Sequence, residues 1–195
     1  SRRLSMTQIR PQAGPQEAFL SSPADIVIYG GSAGGGKTFG LLLENARHCD
    51  NSKLGSVIFR RESTQITAQG GLWDAAINLY SPMGIKTRMK PSLEVAFKSG
   101  ARVSFNHLQY DKDVFNWQGT EIPLISFDEL THFTYNQFFY MLSRNRSTCG
   151  VRPYMRATTN PDADSWVAEF ISWWWDSNTG YAIPERSGVI RYFIR

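Results

Sequence analysis

The residues that can do chemistry stand in three short stretches. The first is Tyr29–Gly40, YGGSAGGGKTFG, where five glycines precede the first lysine of the chain and a threonine. Gly31, Ser32, Ala33, Gly34, Gly35, Gly36, Lys37 and Thr38 match G-x-x-x-x-G-K-[ST] at every position. Glycine loses more conformational freedom on folding than any other residue, so such a run needs a return. The return is a backbone that curls its N–H groups around the phosphates of a nucleoside triphosphate. Lys37 then reaches the β- and γ-phosphates and the Thr38 hydroxyl ligates Mg²⁺. The second stretch is LISFDE, Leu124–Glu129, an apolar run that ends in two carboxylates. Asp128 suits an indirect hold on Mg²⁺, and Glu129 suits orienting or deprotonating an attacking water. Neighbouring strand residues point to opposite sides, which lets the two acids take different roles. Two acids that merely cap a following helix are the alternative. The third stretch is ATTNP, where Thr158, Thr159 and Asn160 end a strand. If that strand lies beside the first, these side chains stand near the γ-phosphate; a plain Ser/Thr or Asx turn before Pro161 is the competing reading.

These stretches must be positioned by an alternation of short β-like runs and helical segments, the pattern of a layered α/β domain. Pro15–Ser21 is a short helix candidate with proline at its start. Asp25–Gly30 reads as a strand buried on both faces, and Phe39–His48 as the helix after the glycine loop. Ser56–Arg61 is a second buried strand, and Gly71–Leu79 is helical by its three- and four-residue apolar steps. Leu93–Phe105 alternates around KSGA and predicts a hairpin. Ile122–Glu129 and Tyr154–Pro161 are further strands, and Gly188–Arg195 is a strand-like run that stops at the last residue. Such an ending reads as cut.

Bulk composition sets the limits. The 195 residues suffice for one domain, residues 15–195, behind a flexible basic arm over residues 1–14. Net charge is +4, from 21 basic and 17 acidic residues, which suits a polyanionic partner and equally an ordinary solvated surface. Cys49 and Cys149 lack zinc-site or disulfide spacing and read as reduced, buried thiols. No apolar run approaches the roughly 20 residues of a membrane span, and the N-terminus lacks a secretory apolar core.

Taken together, YGGSAGGGKTFG, FRRES, WQGTEIPLISFDELTHFTYNQFFYMLSRNRS, MRATTNPDADSWVAEF and GYAIPERSGVIRYFIR resemble the large terminase subunit of tailed bacteriophages, from about Gln16 to Arg195. The resemblance implies a P-loop NTPase of the ASCE type, with a mainly parallel central sheet flanked by helices and a β-hairpin insertion. It implies ATP and Mg²⁺, with phosphates at Gly31–Thr38, Mg²⁺ through Thr38 and Asp128, and Glu129 as the hydrolytic carboxylate. Gln16 resembles the glutamine that reads adenine, and Asn160 with its threonines resembles the motif coupling hydrolysis to DNA movement. The DADSWV after Pro161 departs from the glycine and histidine that relatives often show there. Implied partners are double-stranded DNA without sequence preference, further copies in a ring, a portal protein and the small terminase subunit. The implied place is the host bacterial cytoplasm, at the portal vertex of the procapsid. The family's C-terminal nuclease domain has no counterpart in these residues, and no nuclease activity is expected of them.

A motor of this kind also needs an arginine finger. Arg144 and Arg146 in SRNRS are candidates, as are Arg60 and Arg61 after the second strand, and nothing in the sequence chooses among them. Trp173, Trp174 and Trp175 read as buried aromatics, or as a contact with another domain or subunit. Lys86, Arg88, Lys90, Lys98 and Arg102 gather around the hairpin, where they could follow DNA phosphates or simply face water. A helicase-like ATPase and a nucleotide-gated assembly module of low turnover are the alternative functions.

Overall fold

A computed structural model describes residues 10–31, 36–160 and 162–192. In chain order the elements are α1 (Pro15–Ser21), β1 (Ile26–Gly30), α2 (Lys37–Ala46), β2 (Gly55–Arg60), α3 (Ser63–Thr67), α4 (Leu72–Tyr80), β3 (Lys86–Arg88), β4 (Leu93–Ala96), β5 (Arg102–His107), β6 (Leu124–Phe127), α5 (Tyr135–Arg144), β7 (Tyr154–Thr159), α6 (Trp166–Phe170), β8 (Trp175–Asp176) and β9 (Tyr181–Ala182). Seven strands form one sheet in the order β1-β7-β6-β2-β5-β4-β3. The first five are parallel; β4 and β3 continue antiparallel from β5 as a meander. The hairpin expected over Leu93–Phe105 is present, with Leu93 opposite Phe105.

Two apolar layers hold this sheet. On one face α1, α2 and α4 cover Ile58, Val95, Val103 and Phe105 through Phe19, Leu41, Leu42, Leu72 and Tyr80. On the other, α5 and α6 bring Phe138, Met141 and Val167 against Phe59, Ile125, Phe127 and Met155. Every residue of β6 is buried, as a parallel strand covered on both faces requires. Each residue buried this way contributes about 1.5–3 kcal/mol, so the central strands are the fixed frame for the site.

Three expectations change. β1 is only half-buried, because it is the sheet's edge with β7 as its single neighbour. Of the run expected over Gly188–Arg195, residues 188–192 form no strand, with Val189, Ile190 and Tyr192 exposed, and residues 193–195 lie outside the described residues. Cys49 and Cys149 are free thiols as expected, but only half-buried. Of the three consecutive tryptophans, Trp175 is buried while Trp173 and Trp174 are half-buried, with the Arg186 and Arg191 guanidiniums over the Trp173 ring.

Candidate nucleotide site at the C-terminal edge of the sheet

The site begins where β1 gives way to α2. Gly36 caps α2 with φ +73°, a conformation that favours glycine, and a Cβ there would also meet Gln16 Nε2 at 3.1 Å. Lys37 and Thr38 are thus the first residues of the helix, whose N-terminus carries partial positive charge. Ser32, Ala33, Gly34 and Gly35 lie outside the described residues. Gln16 is buried against the head of α2: its Nε2 donates to Gly36 O at 2.9 Å and its Oε1 accepts from Gln12 N at 2.6 Å. Both ends of the glutamine amide are thus engaged within the chain, one of them by the residue that caps α2.

Lys37 reaches back to the ends of β1 and β7. Its Nζ donates to Gly31 O at 3.0 Å and to Asn160 Oδ1 at 2.9 Å. Partial burial lowers its pKa from the ordinary lysine value, against the opposing pull of Asp128 and Glu129. The contact to Asn160 depends on topology. β7 lies directly beside β1, with Thr158 opposite Tyr29 and Thr159 opposite Gly30, so the end of one strand delivers its polar residues to the loop of the other. The strand expected beside the first is there. Thr159 faces away from Thr158, its hydroxyl buried with no hydrogen-bond partner among the described residues.

Asp128 follows β6 and is 1% exposed. A buried carboxylate must be compensated, and three side chains do so. Arg60 at the end of β2 places Nε and Nη2 on Oδ2 at 2.9 and 2.5 Å, Thr158 donates to Oδ1 at 2.6 Å, and Thr38 lies 3.2–3.3 Å from both oxygens. The oxygen-only pair Thr38 and Asp128 at the head of a helix fits Mg²⁺, which takes few protein ligands and completes its shell with water and phosphate.

Glu129 diverges from Asp128 through the backbone rather than through strand alternation. Both residues lie beyond β6, and Glu129 has φ 62° and ψ 66°, the one non-glycine residue with positive φ among those described. Such a conformation costs on the order of 1–3 kcal/mol and persists only where the surroundings fix it. Here Thr158 Oγ1 accepts the Glu129 N–H at 2.9 Å, while Leu130 and Phe133 are buried on the following turn. Glu129 itself is 40% exposed, with His132 Nδ1 3.1 Å from its Oε2. Neither His132 nor the Arg60 pairing was foreseen. The first carries no motif, and the second joins residues 68 positions apart.

The arginine-finger candidates separate. Arg60 is spent on Asp128 of its own chain, with Nη1 also on Gln65 O at 3.2 Å, and Arg61 is exposed beside it. Arg144 and Arg146 sit at the opposite edge of the sheet. Arg144 O accepts from Ile122 N at 3.0 Å, and Asn145 Nδ2 bonds Ile122 O, Pro123 O and Tyr154 O, all at the starts of β6 and β7. From Ile122 to Asp128 the chain advances six residues, four of them β6, on the order of 20 Å at about 3.3 Å each. The segment that carries both arginines is thus anchored at the edge of the sheet away from Asp128. On the hairpin, Lys86, Arg88, Lys90, Lys98 and Arg102 are all exposed, with Arg88 paired to Glu94 at 3.0 Å.

Comparison with known proteins agrees with this architecture. No curated protein matches the sequence. The large terminase of a thermophilic bacteriophage superposes with TM-score 0.62 at 17% identity, over 83% of this chain and 42% of that one. The bacteriophage HK97 large terminase gives 0.58 at 12% identity, over 87% and 38%. The N-terminal domain of the DNA packaging ATPase of bacteriophage phi29 gives 0.56 at 11%, over 85% and 88%. The chain thus spans less than half the length of the first two. The family profile described as the terminase large subunit, T4likevirus-type, N-terminal, matches residues 28–191. That match takes in both carboxylates and the strand end at Asn160 as well as the phosphate loop, and by it the chain belongs to the large terminase subunit family.

Proposed function

We propose that this chain is the ATP-hydrolysing part of a motor that drives double-stranded DNA into a procapsid. The observation that carries the reading is the convergence of Lys37, Thr38, Asp128 and Asn160 on one sheet edge, with a strained Glu129 beside them. Structures of the thermophilic phage terminase hold ADP and ATP-γ-S, which supports nucleotide as the ligand. Lys37 binds the β- and γ-phosphates and leaves its contact with Asn160 to do so, which gives Asn160 a means of registering the phosphate. Thr38, backed by Asp128, would hold Mg²⁺, which when bound neutralises charge on the phosphate oxygens. Glu129 orients the attacking water and takes its proton on a carboxylate oxygen. Gln16 reads adenine from the head of α2, giving up the Gln12 N–H for the base. Arg144 and Arg146 act on the site of a neighbouring copy, a role supported by their distance from their own. The assembled form is a ring at the portal vertex, in the host cytoplasm, working with the portal protein and the small terminase subunit. No described helix is long and apolar enough to cross a membrane.

Calorimetry and steady-state hydrolysis test the reading. Lys37→Ala should abolish Mg–ATP uptake. Glu129→Gln should keep uptake and slow hydrolysis by about 10²–10⁴-fold. Folded wild-type protein that takes up no Mg–ATP at millimolar concentration would sink it. Arginines acting across a subunit boundary also require the specific rate to rise with protein concentration.

A further inference from the structure

Glu129 is held at two points, and the second is a side chain with no assigned part. Its backbone N–H is fixed from the sheet by Thr158, but its carboxylate is met from the following turn by His132, whose Nδ1 lies 3.1 Å from Oε2. The turn Leu130–His132 is not a loose tether. Leu130 is fully buried, Phe133 nearly so, and the His132 N–H donates to Glu129 O at 3.0 Å. The imidazole is therefore carried at a set distance from the carboxylate on a buried anchor, while the ring itself stays 44% exposed. The terminal torsion of a glutamate is broad and weakly restrained by itself. A base must meet its water within about 2.6–3.2 Å, and an error of about 1 Å costs as much as 10²-fold.

We propose that His132 is a positioning residue for Glu129: from its ion-pair distance of 3.1 Å a rotation of the exposed ring lets Nδ1–H donate to Oε2, leaving Oε1 to face the water. The bond selects one tautomer, because a neutral imidazole carries its single proton on the nitrogen that has an acceptor. It also selects one replacement. The asparagine amide nitrogen stands as many bonds from Cα as histidine Nδ1, whereas alanine offers no donor.

The inference rests on Glu129 being the hydrolytic carboxylate, so the experiment separates the two. His132→Ala should lower kcat about 10–100-fold with KM for ATP unchanged. His132→Asn should recover most of that rate. Independently of turnover, ¹⁵N spectra of the protein without nucleotide, at a pH where the ring is neutral, should show the Nδ1–H form of His132. Glu129→Ala should abolish that preference. Wild-type kcat in His132→Ala beside a crippled Glu129→Gln would overturn the positioning role alone. So would a His132 tautomer indifferent to Glu129→Ala. A Glu129→Gln variant that hydrolyses at the wild-type rate would overturn the underlying reading and this role together. His132 is exposed, and loss of the fold in these variants is not expected.

Discussion

The helix α2 and the strand β7 pack together and carry a polar cluster at each end, and the two ends are built differently. At the C-terminal edge of the sheet stand Lys37, Thr38, Thr158 and Asn160, around Asp128 and the strained Glu129. At the other edge, Glu44 in the last turn of α2 meets Tyr154, the first residue of β7. Glu44 is 1% exposed, and both of its oxygens are taken: Oε1 by Arg47 Nε at 2.7 Å and the Tyr154 hydroxyl at 2.8 Å, Oε2 by Arg47 Nη2 at 3.1 Å. Arg47 also donates to Leu20 O. His48 Nε2 meets the Tyr154 hydroxyl at 2.9 Å, and Arg156 lies over the Tyr154 ring while donating to Ala24 O, Met155 O and Ser22 O. The far end is closed around Glu44, both of whose oxygens are taken, while Arg47 stays 44% exposed and Arg156 Nε is buried with no hydrogen-bond partner among the described residues. The near end leaves an ammonium and a carboxylate partly in water and one backbone position in an unfavourable conformation. Each end has one buried, saturated acid, Glu44 or Asp128; what sets the near end apart is that Lys37 and Glu129 stay partly exposed beside it.

The hardest way to break this contrast is to remove the buried acid. Glu44→Ala leaves the buried Tyr154 hydroxyl without its acceptor while Arg47, 44% exposed, turns to water, a loss of about 1.5–3 kcal/mol for hydrogen bonds to a charged group. For a domain of this size each kcal/mol shifts Tm by roughly 2–4 °C, so calorimetry should record a fall of about 3–12 °C. The KM for ATP in the folded fraction should hold. Glu129→Gln should do the reverse, leaving Tm in place while hydrolysis collapses. An unchanged Tm in Glu44→Ala would show that the far cluster is ornament.

Thr158→Val sharpens the comparison, because Thr158 belongs to both descriptions. It sits on the same face of β7 as Tyr154 and Arg156, yet its hydroxyl spends its proton on Asp128 and accepts the Glu129 N–H. Valine keeps the volume and removes both bonds, leaving a buried acceptor short of one donor and a backbone N–H without its acceptor. A stability loss of about 1–3 kcal/mol should accompany a fall in kcat of about 10-fold or more, since Glu129 loses the support for its backbone. Urea unfolding and steady-state hydrolysis on the same samples decide it. A loss confined to one of the two would place Thr158 wholly in architecture or wholly in chemistry.

How much of this was legible follows from how locally it is encoded. The phosphate loop is eight contiguous residues with a mechanism attached to each type. Asp128 and Glu129 announce themselves as charges at the end of an apolar run, and the strand beside the first was read from its polar tail. The rest depends on three-dimensional neighbours. Arg60 read as one of four arginine-finger candidates until β2 was placed beside β6. The left-handed turn at Glu129 has no glycine or asparagine to signal it and is imposed by Thr158, Leu130 and Phe133. Arg156 inside a fully buried strand contradicts the usual composition of such strands, and the compensation comes from carbonyls of residues 22 and 24 and the Tyr154 ring. The edge position of β1 was hidden because an apolar run of five looks the same with one neighbour as with two.

The smallest expected effect separates the two ends by pH. Burial lowers the pKa of His48 below the ordinary histidine value; Glu44 opposes that shift and Arg47 adds to it. The groups facing the ring are the Tyr154 hydroxyl, Glu44 and Arg47, and Tyr154 is itself held protonated by burial and by Glu44. The unfolded chain therefore binds a proton at His48 before the folded one does. By linkage, this contribution is intact above about pH 6.5 and is lost as pH falls from there through the depressed native value. Urea midpoints should accordingly decline on going from pH 8 to below 6. His48→Gln, whose amide nitrogen can replace Nε2 as donor to Tyr154, should flatten that decline without altering the KM for ATP. A decline of the same steepness in His48→Gln would move the acid sensitivity to other groups and leave the closed end with no titrating member of its own.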